Sequence, residues 1–534
     1  MKTPLAFLIL LLPASSFHDA KAANAPVMTY EPNGHGEQTR PSEGENKVTA
    51  ERLKKAARQT YALAQYLFGS MCHYGTGVPQ NDGEAARWYR MAAESGNPQA
   101  QFALGSMYYE GRGLPRDFKE AATWVAKAAE QGHAEAQHNL GSMYYHGQCV
   151  PQDFGESVKW FRRAAEHKLA KAQRDLGWMV DNGLGIAKDG QKAVEWYRKA
   201  AEQGHAQAQY DLGLKHYLGR DIPQNAKKAM VWFRKAAEQG HAEAQYKLGA
   251  MTDSAGGAAR DKNETATWYT RAAEQGHAQA QQELGKMHYY GTGIAPNYKE
   301  AARWFLKAAE QGLAESQYLL GLMYSEGRDI PRDDKRALQW LSRAATQGIA
   351  PAQDRLGRMY RLGQGVQRNY SEAIKWYTMA AEQGHSQAQH DLGRMYHIGL
   401  GVAENYEQAA QWLLRSAQQG YAEAQYRLGI IYLDNESELQ DYRLAVTWFR
   451  LAAEQEYAPA QNTLGLLYHS GKGISQDTVE AYKWYSLAAM HDGEFTQLAQ
   501  QLRDNLHQNM TPAQVEEGQR RAEQFLTDKK ENAK

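Results

Sequence analysis

Residues 100–133 read AQFALGSMYYEGRGLPRDFKEAATWVAKAAEQGH. Ala100, Leu104, Met107 and Tyr108 recur at helical spacing, so one apolar face runs through the first third. The face stops at Gly111-Arg112-Gly113, a turn that a helix cannot continue through. Asp117 then supplies an N-cap acceptor, and Glu120 three residues on completes a capping box. Ala121, Trp124, Ala128 and Ala129 line a second helix, which Gly132 ends. The stretch is two short helices joined by a tight turn. Neither can bury its apolar face alone.

The same pattern fills the chain. Gly105 belongs to a column that begins at Gly69 and returns every 36 residues to Gly465. Trp124 belongs to another, from Trp88 to Trp484, and Gln fills all twelve places of a third that begins at Gln65. The N-cap column from Asn81 to Asp477 is Asn or Asp in every copy. Twelve registered copies span residues 62–493 without insertion or deletion. Small Ala and Gly columns let helices approach closely, and the Trp, Leu and Tyr columns fill the space between layers. The expected architecture is all-α: a solenoid of twelve 36-residue helix-turn-helix repeats with helical caps.

Length and composition agree. At 534 residues the chain exceeds a single compact core. Lys plus Arg equals Asp plus Glu at 61 each, which argues against nucleic-acid binding by global charge. Two cysteines exclude a disulfide framework and a four-cysteine zinc site. Residues 1–22 read as a secretory signal peptide: Lys2, the apolar run Leu5 to Leu12, and a small-x-small site at Ala20-Lys21-Ala22. The expected location is therefore periplasmic or secreted, with no integral membrane segment after cleavage. Residues 23–48 read as a polar, disordered leader.

The stretch from Ala100 to His133 resembles the Sel-1-like repeat family, a relative of the tetratricopeptide repeats. The resemblance covers residues 62–493. It implies a right-handed superhelix of antiparallel helix pairs whose first helices line the concave side. It also implies adaptor or scaffold roles, and no shared catalytic residue. Both ends read as caps. Residues 49–61 keep the Ala column at Ala56 and Ala57 but have Arg52 in the Trp place, as a lone second helix would. Residues 494–534 contain a helix from Glu494 to His507. A capping pattern at Thr511, Pro512 and Gln514 follows, with Val515, Ala522, Phe525 and Leu526 on one face.

Catalytic motifs are absent. No serine has Lys three residues on, and there is no Gly-x-Ser-x-Gly, phosphate loop or His-Glu-x-x-His. His133 and His138, five apart, fall on different helix faces. The recurring histidines, such as His205, His241 and His277, fill one inter-helix column and read as structural. Cys72 and Cys149 lie two units apart, beyond disulfide reach, and read as free thiols. No enzyme activity, metal or cofactor is expected.

Function then rests on positions outside the repeated columns. On each first helix these lie three before, one after and four after the column glycine. Counting one neighbouring position, units one to three carry Tyr66, Tyr74, Phe102, Tyr109 and Tyr145 there, with His73, His138 and His146. Unit four carries Arg174, Asp181 and Trp178, the tryptophan outside the repeat column. Units nine and ten give a basic stripe of Arg358, Arg361, His390, Arg394 and His397, with Arg355 beside it. Tyr, Trp and Arg are enriched in binding hot spots, so the expected ligand of a monomeric chain is a protein or peptide, such as an envelope or host protein, held in the concave groove. A polysaccharide or peptidoglycan ligand of the aromatic stripe is the alternative, and a hydrolase the remote one.

Three physical expectations follow from the sequence. The Trp column should be core, so Trp232→Ala should cost roughly 3–5 kcal/mol. Residues 252–262, where Thr252 and a Gly-rich run replace the usual turn, should open first. Protonation of His390 and His397 below about pH 6.5 should strengthen binding of an acidic partner to the basic stripe.

Overall fold

The computed structural model describes residues 43–254, 262–434, 437–491 and 494–532. The signal peptide, residues 23–42 of the leader and residues 255–261 of the expected soft point lie outside these. Among the described residues there are 27 helices and no strand. The chain divides into two compact units, Met1–Met251 and Thr252–Lys534, each an all-α solenoid of helix pairs.

In the first unit, α1 (Glu43–Ala57) precedes α2 (Ala62–Tyr74) and α3 (Asp82–Glu94), then α4 (Pro98–Glu110) and α5 (Phe118–Glu130). The last two are the helices of the stretch from Ala100. Gly111 and Gly113 both hold positive φ, 72° and 68°. At Gly113 a side chain is excluded outright, because a methyl there would sit 2.2 Å from the Asp82 carbonyl oxygen at the start of α3. The turn of each repeat thus rests on the second helix of the one before it. Every described Asx cap accepts a backbone N–H; Asp117, for example, takes those of Lys119 and Glu120 at 2.9 and 3.0 Å.

The column glutamine ties three helices together. Gln101 in α4 is buried, and its Nε2 donates to the Ala93 carbonyl in α3 at 3.1 Å. Its Oε1 accepts from Gln131, just past α5, at 2.6 Å. The same pair recurs thirty residues apart at Gln173 and Gln203, Gln209 and Gln239, and, in the second unit, Gln353 and Gln383. The repeats that break it are informative. Gln65, Gln137 and Gln461 have Oε1 atoms with no hydrogen-bond partner among the described residues. Thirty residues after them stand Ser95, His167 and His491. The donor is missing where the second glutamine is missing.

The column glycine has an equally specific neighbour. A methyl at Gly213 would lie 2.7 Å from Phe233 Cδ1, and one at Gly285 would lie 2.6 Å from Phe305 Cδ1. Phe233, Phe305 and Phe449 are fully buried. The deepest column is therefore the residue after tryptophan, which corrects the expectation for the Trp column. Trp268, Trp304 and Trp484 are buried, but Trp232 is half-buried. A cation one turn on covers its ring, with Lys235 Nζ 4.4 Å from the centroid.

Both ends refine the expected caps. The N-terminal helix begins at Glu43, not Thr49, so residues 43–48 of the predicted leader are helical. Asn46 stands 36 residues before Asp82 and repeats its packing: its carbonyl oxygen lies 2.3 Å from where a Gly77 methyl would be. Gly44 and the nearby prolines hide this helix from a periodicity reading. In the second unit, α26 (Glu494–His507) and α27 (Pro512–Asn532) follow the expected bounds. Thr511 and Gln514 form a reciprocal capping box: each backbone N–H donates to the other's side chain, at 2.9 and 3.3 Å. Cys72 is buried and Cys149 half-buried, both free; burial pushes the Cys72 thiol up to about 11, which leaves it inert.

Two predictions follow. Ser95→Gln should supply the missing donor to Gln65 and raise stability by about 0.5–1.5 kcal/mol in a urea melt. Phe233→Ala should cost about 3–5 kcal/mol, and Trp232→Ala measurably less, because its ring is already half in water.

Candidate functional site

The three candidate columns do not share one environment. The column three before the glycine turns toward the next first helix, with contacts 37 residues on. In the first unit, His138 on α6 (Ala134–His146) meets Asp175 on α8 (Ala170–Asn182) at 2.9 Å. Arg174 Nε donates to Asp211 on α10 (Ala206–Leu218) at 2.8 Å and is buried. In the second unit, His390 is 1% exposed, and its Nε2 accepts from Arg427 Nε at 3.1 Å. His390 is thus no part of an open stripe, which corrects the sequence expectation. A residue three before the glycine lies on the edge of the first-helix contact, so its partner is the next repeat. Tyr66 and Phe102 occupy the same column and are half-buried, packed on Tyr89 and His133 with centroids 5.8 and 4.8 Å apart.

The other two columns are more open. Tyr74 is exposed, and Tyr109 packs against Phe118. Tyr145 and Trp178 come together edge to face, centroids 5.7 Å apart. They line a cavity of about 110 Å³ with Ser142, His146 and Phe161. Asp181 is committed elsewhere: Lys215 Nζ bridges it to Asp221 at 2.6 and 2.7 Å. Asp221 has a φ of 65°, and its carboxyl fills the space that a side chain at Gly190 would need. Here the turn residue and the helix-start residue have exchanged the glycine.

In the second unit the basic residues sit on α18 (Ala350–Leu362), α20 (Ser386–His397) and α22 (Ala422–Leu433). Arg358 is exposed; Arg361 and Arg394 are half-buried. Arg361 Nε donates to the Tyr377 hydroxyl at 3.3 Å. Arg355 is drawn aside, 3.8 Å from Glu326. Arg358 and Arg394 make no side-chain hydrogen bond or ion pair among the described residues. Burial, then the nearby Arg361 and Arg427, push the Arg394 pKa down. Burial and Arg427 likewise push His397 down. The direction at His397 runs against the expectation that it charges the stripe in mild acid. Two carboxyls share the cluster. Burial and then Asp391 push Asp354 up to about 7. Asp391 stays low because His390 and Arg361 outweigh its burial.

Sequence reasoning places Asp354 and Asp391 beside the stripe as partial neutralisers of its arginines, but it missed Arg427 as a member of this cluster. The signal was present as a column, Arg355, Asp391 and Arg427, each 36 apart. It also missed what the recurring histidines do. His133, His205, His241, His277 and His385 are N-caps: each Nδ1 accepts the backbone N–H three residues on, at 3.1 to 3.3 Å. Asn97 fills the same place in its repeat. Among the described residues, no group of three or more His, Cys, Asp or Glu side chains is placed to hold a metal. No described helix is long and apolar enough to cross a membrane.

This repeat geometry has a family. The Sel1 repeat model matches twelve consecutive copies, from residues 62–97 to 458–492, and the chain belongs to the Sel1 repeat family. Among solved structures, it is 33% identical to c5321, described as a protective antigen present in uropathogenic Escherichia coli strains displaying an SLR fold. That match covers 83% of this chain and 94% of that one, with a TM-score of 0.77. A Sel1 repeat protein from Oxalobacter formigenes is 32% identical over 50% of this chain and all of that one, with a TM-score of 0.41. Among curated proteins, no sequence matches. The family fold commonly mediates protein–protein interaction.

The histidine caps predict a pH response. Burial lowers the pKa of His133, His205, His241 and His385 below the ordinary 6.5. The unfolded chain takes up protons first, so stability is lost as pH falls through about 6.5. A melt at pH 7.5 should exceed one at pH 5.5, and changing all four histidines to Asn should shrink the gap. An unchanged gap would contradict the capping role.

Proposed function

We propose that this protein is an exported, non-catalytic adaptor or scaffold that holds a protein or peptide partner on the exposed faces of its first helices, in the periplasm or outside the cell. One observation carries the reading. The buried columns repeat from copy to copy, whereas the positions just after the column glycine vary in chemistry, from Trp178 in unit four to Arg358 and Arg394 in units nine and ten. Stability alone asks for uniform repeats; local variety at solvent-facing positions is what selective binding asks for. The export part rests on Lys2, the apolar run from Leu5 to Leu12 and the small residues at Ala20 and Ala22. The description of the uropathogenic relative as a protective antigen supports it, since such an antigen meets the immune system.

A second reading has its own observation. Tyr145 and Trp178 line a small cavity with polar Ser142 and His146 at its edge. Aromatic faces with polar neighbours also suit sugar rings, so an envelope glycan is the alternative ligand.

In-cell crosslinking followed by identification of the captured material tests both. Capture of a defined protein from the envelope or medium, lost on mutation of first-helix surface residues, is the expected result. Retention on purified cell-wall material, abolished by Trp178→Ala, would favour the glycan reading. Turnover of ester, glycoside or lactam substrates would overturn the non-catalytic reading.

A further inference from the structure

The partner of the second unit can be narrowed, resting on the binding reading just given. Arg358 and Arg394 occupy the same place in adjacent repeats, 36 residues apart, and neither makes a side-chain hydrogen bond or ion pair among the described residues. A guanidinium left half-buried without an ion-pair partner, as at Arg394, is costly, and crowding by Arg361 and Arg427 adds to that cost. An incoming carboxylate relieves both terms. Arg361 is held from below by the Tyr377 hydroxyl, which fixes its fork. Neighbouring first helices sit about 8–10 Å apart. A single small anion cannot span two such arginines. An extended peptide advances roughly 3.3 Å per residue, so acids two or three residues apart reach both.

We propose that Arg358, Arg361 and Arg394 form a seat for an acidic peptide segment, and that Asp354, half-buried beside them, opposes the segment when it is ionised. The groups facing Asp354 are known on each side: Arg355, Arg358 and Arg361 on its own helix, Asp391 on α20, Tyr377 on α19 (Tyr370–Glu382) and Tyr318 on α16 (Ala314–Glu326). Oδ1 of Asp354 has no hydrogen-bond partner among the described residues. Nothing but the arginines holds its charge, and Asp391 opposes it. With a pKa near 7, Asp354 loses its charge as pH falls from 8 to 6. His390 is buried against Arg427, and burial holds His397 below its ordinary value. The change of affinity in this window is assigned to Asp354, whose Oδ1 is left without a hydrogen bond among the described residues.

The test uses the whole protein and a fluorescein-labelled hexaglutamate peptide, with hexaglutamine as the neutral control. The peptide's own side chains titrate near pH 4.3 and stay ionised throughout. Anisotropy at low salt should give binding at least threefold tighter at pH 6 than at pH 8, weakening as salt is added. Arg358→Glu with Arg394→Glu should lose at least tenfold at both pH values while the melting curve is retained. The Lys versions of both changes keep the charge and lose the fork, and should fall between. Asp354→Asn should bind equally at both pH values, at the tighter level. Hexaglutamate binding no tighter than hexaglutamine, or unchanged in the double Glu variant, would overturn the seat. A pH response surviving in Asp354→Asn would overturn the switch. Crosslinked partner still captured by the double Glu variant would leave the binding reading standing and remove only this seat.

Discussion

One buried side chain sets the terms of the whole array. The column glutamine donates to a carbonyl of the preceding repeat and accepts from a glutamine at the end of its own, as Gln353 does with Ala345 and Gln383. A buried amide that made only one of these bonds would carry a desolvation cost with no return. With both, it fixes the distance between three successive helices and so the offset from each repeat to the next. The glycine four residues on completes the constraint. Only a residue without a side chain lets Tyr377 or Phe233 close against the first helix. Together they hold the spacing of a register that carries no insertion over twelve copies.

Uniform spacing confines function to what the constraint leaves free. Positions toward the next repeat are absorbed into pairs such as Arg174 with Asp211 and His138 with Asp175. These polar contacts tie neighbours together within the first unit and offer little to a ligand. The positions just after the glycine are not needed for packing. There the second unit places arginines without acids, and the first unit places Tyr145 against Trp178 around a cavity.

Much of this was legible in the sequence, for a physical reason. Repetition turns one weak local signal into twelve, so the helix bounds, the Asx caps and the Thr511 capping box stand out. What the sequence concealed depends on contacts between repeats. His133 and His205 act as N-caps although histidine is not a usual one, because a ring nitrogen can stand where Asn97 puts its oxygen. Tryptophan marks the repeat but does not form its deepest layer; the residue beside it does. The candidate stripe was placed on the right helices, yet His390 faces the next repeat. A three-residue step on a helix swings a side chain by about 60° from alignment, enough to carry it from solvent into an interface. Burial pushes both Asp354 and Asp391 up, but at Asp391 the contacts with His390, Arg361 and Gln387 outweigh it.

The glutamine ladder is the claim on which the rest depends, and a double-mutant cycle tests it most directly. Gln353→Ala, Gln383→Ala and the pair would be compared by denaturant unfolding, beside the same cycle at Gln137 and His167, where no such bond exists. The ladder predicts a coupling of about 1 kcal/mol at the first pair and none at the second. Additive effects at Gln353 and Gln383 would contradict it.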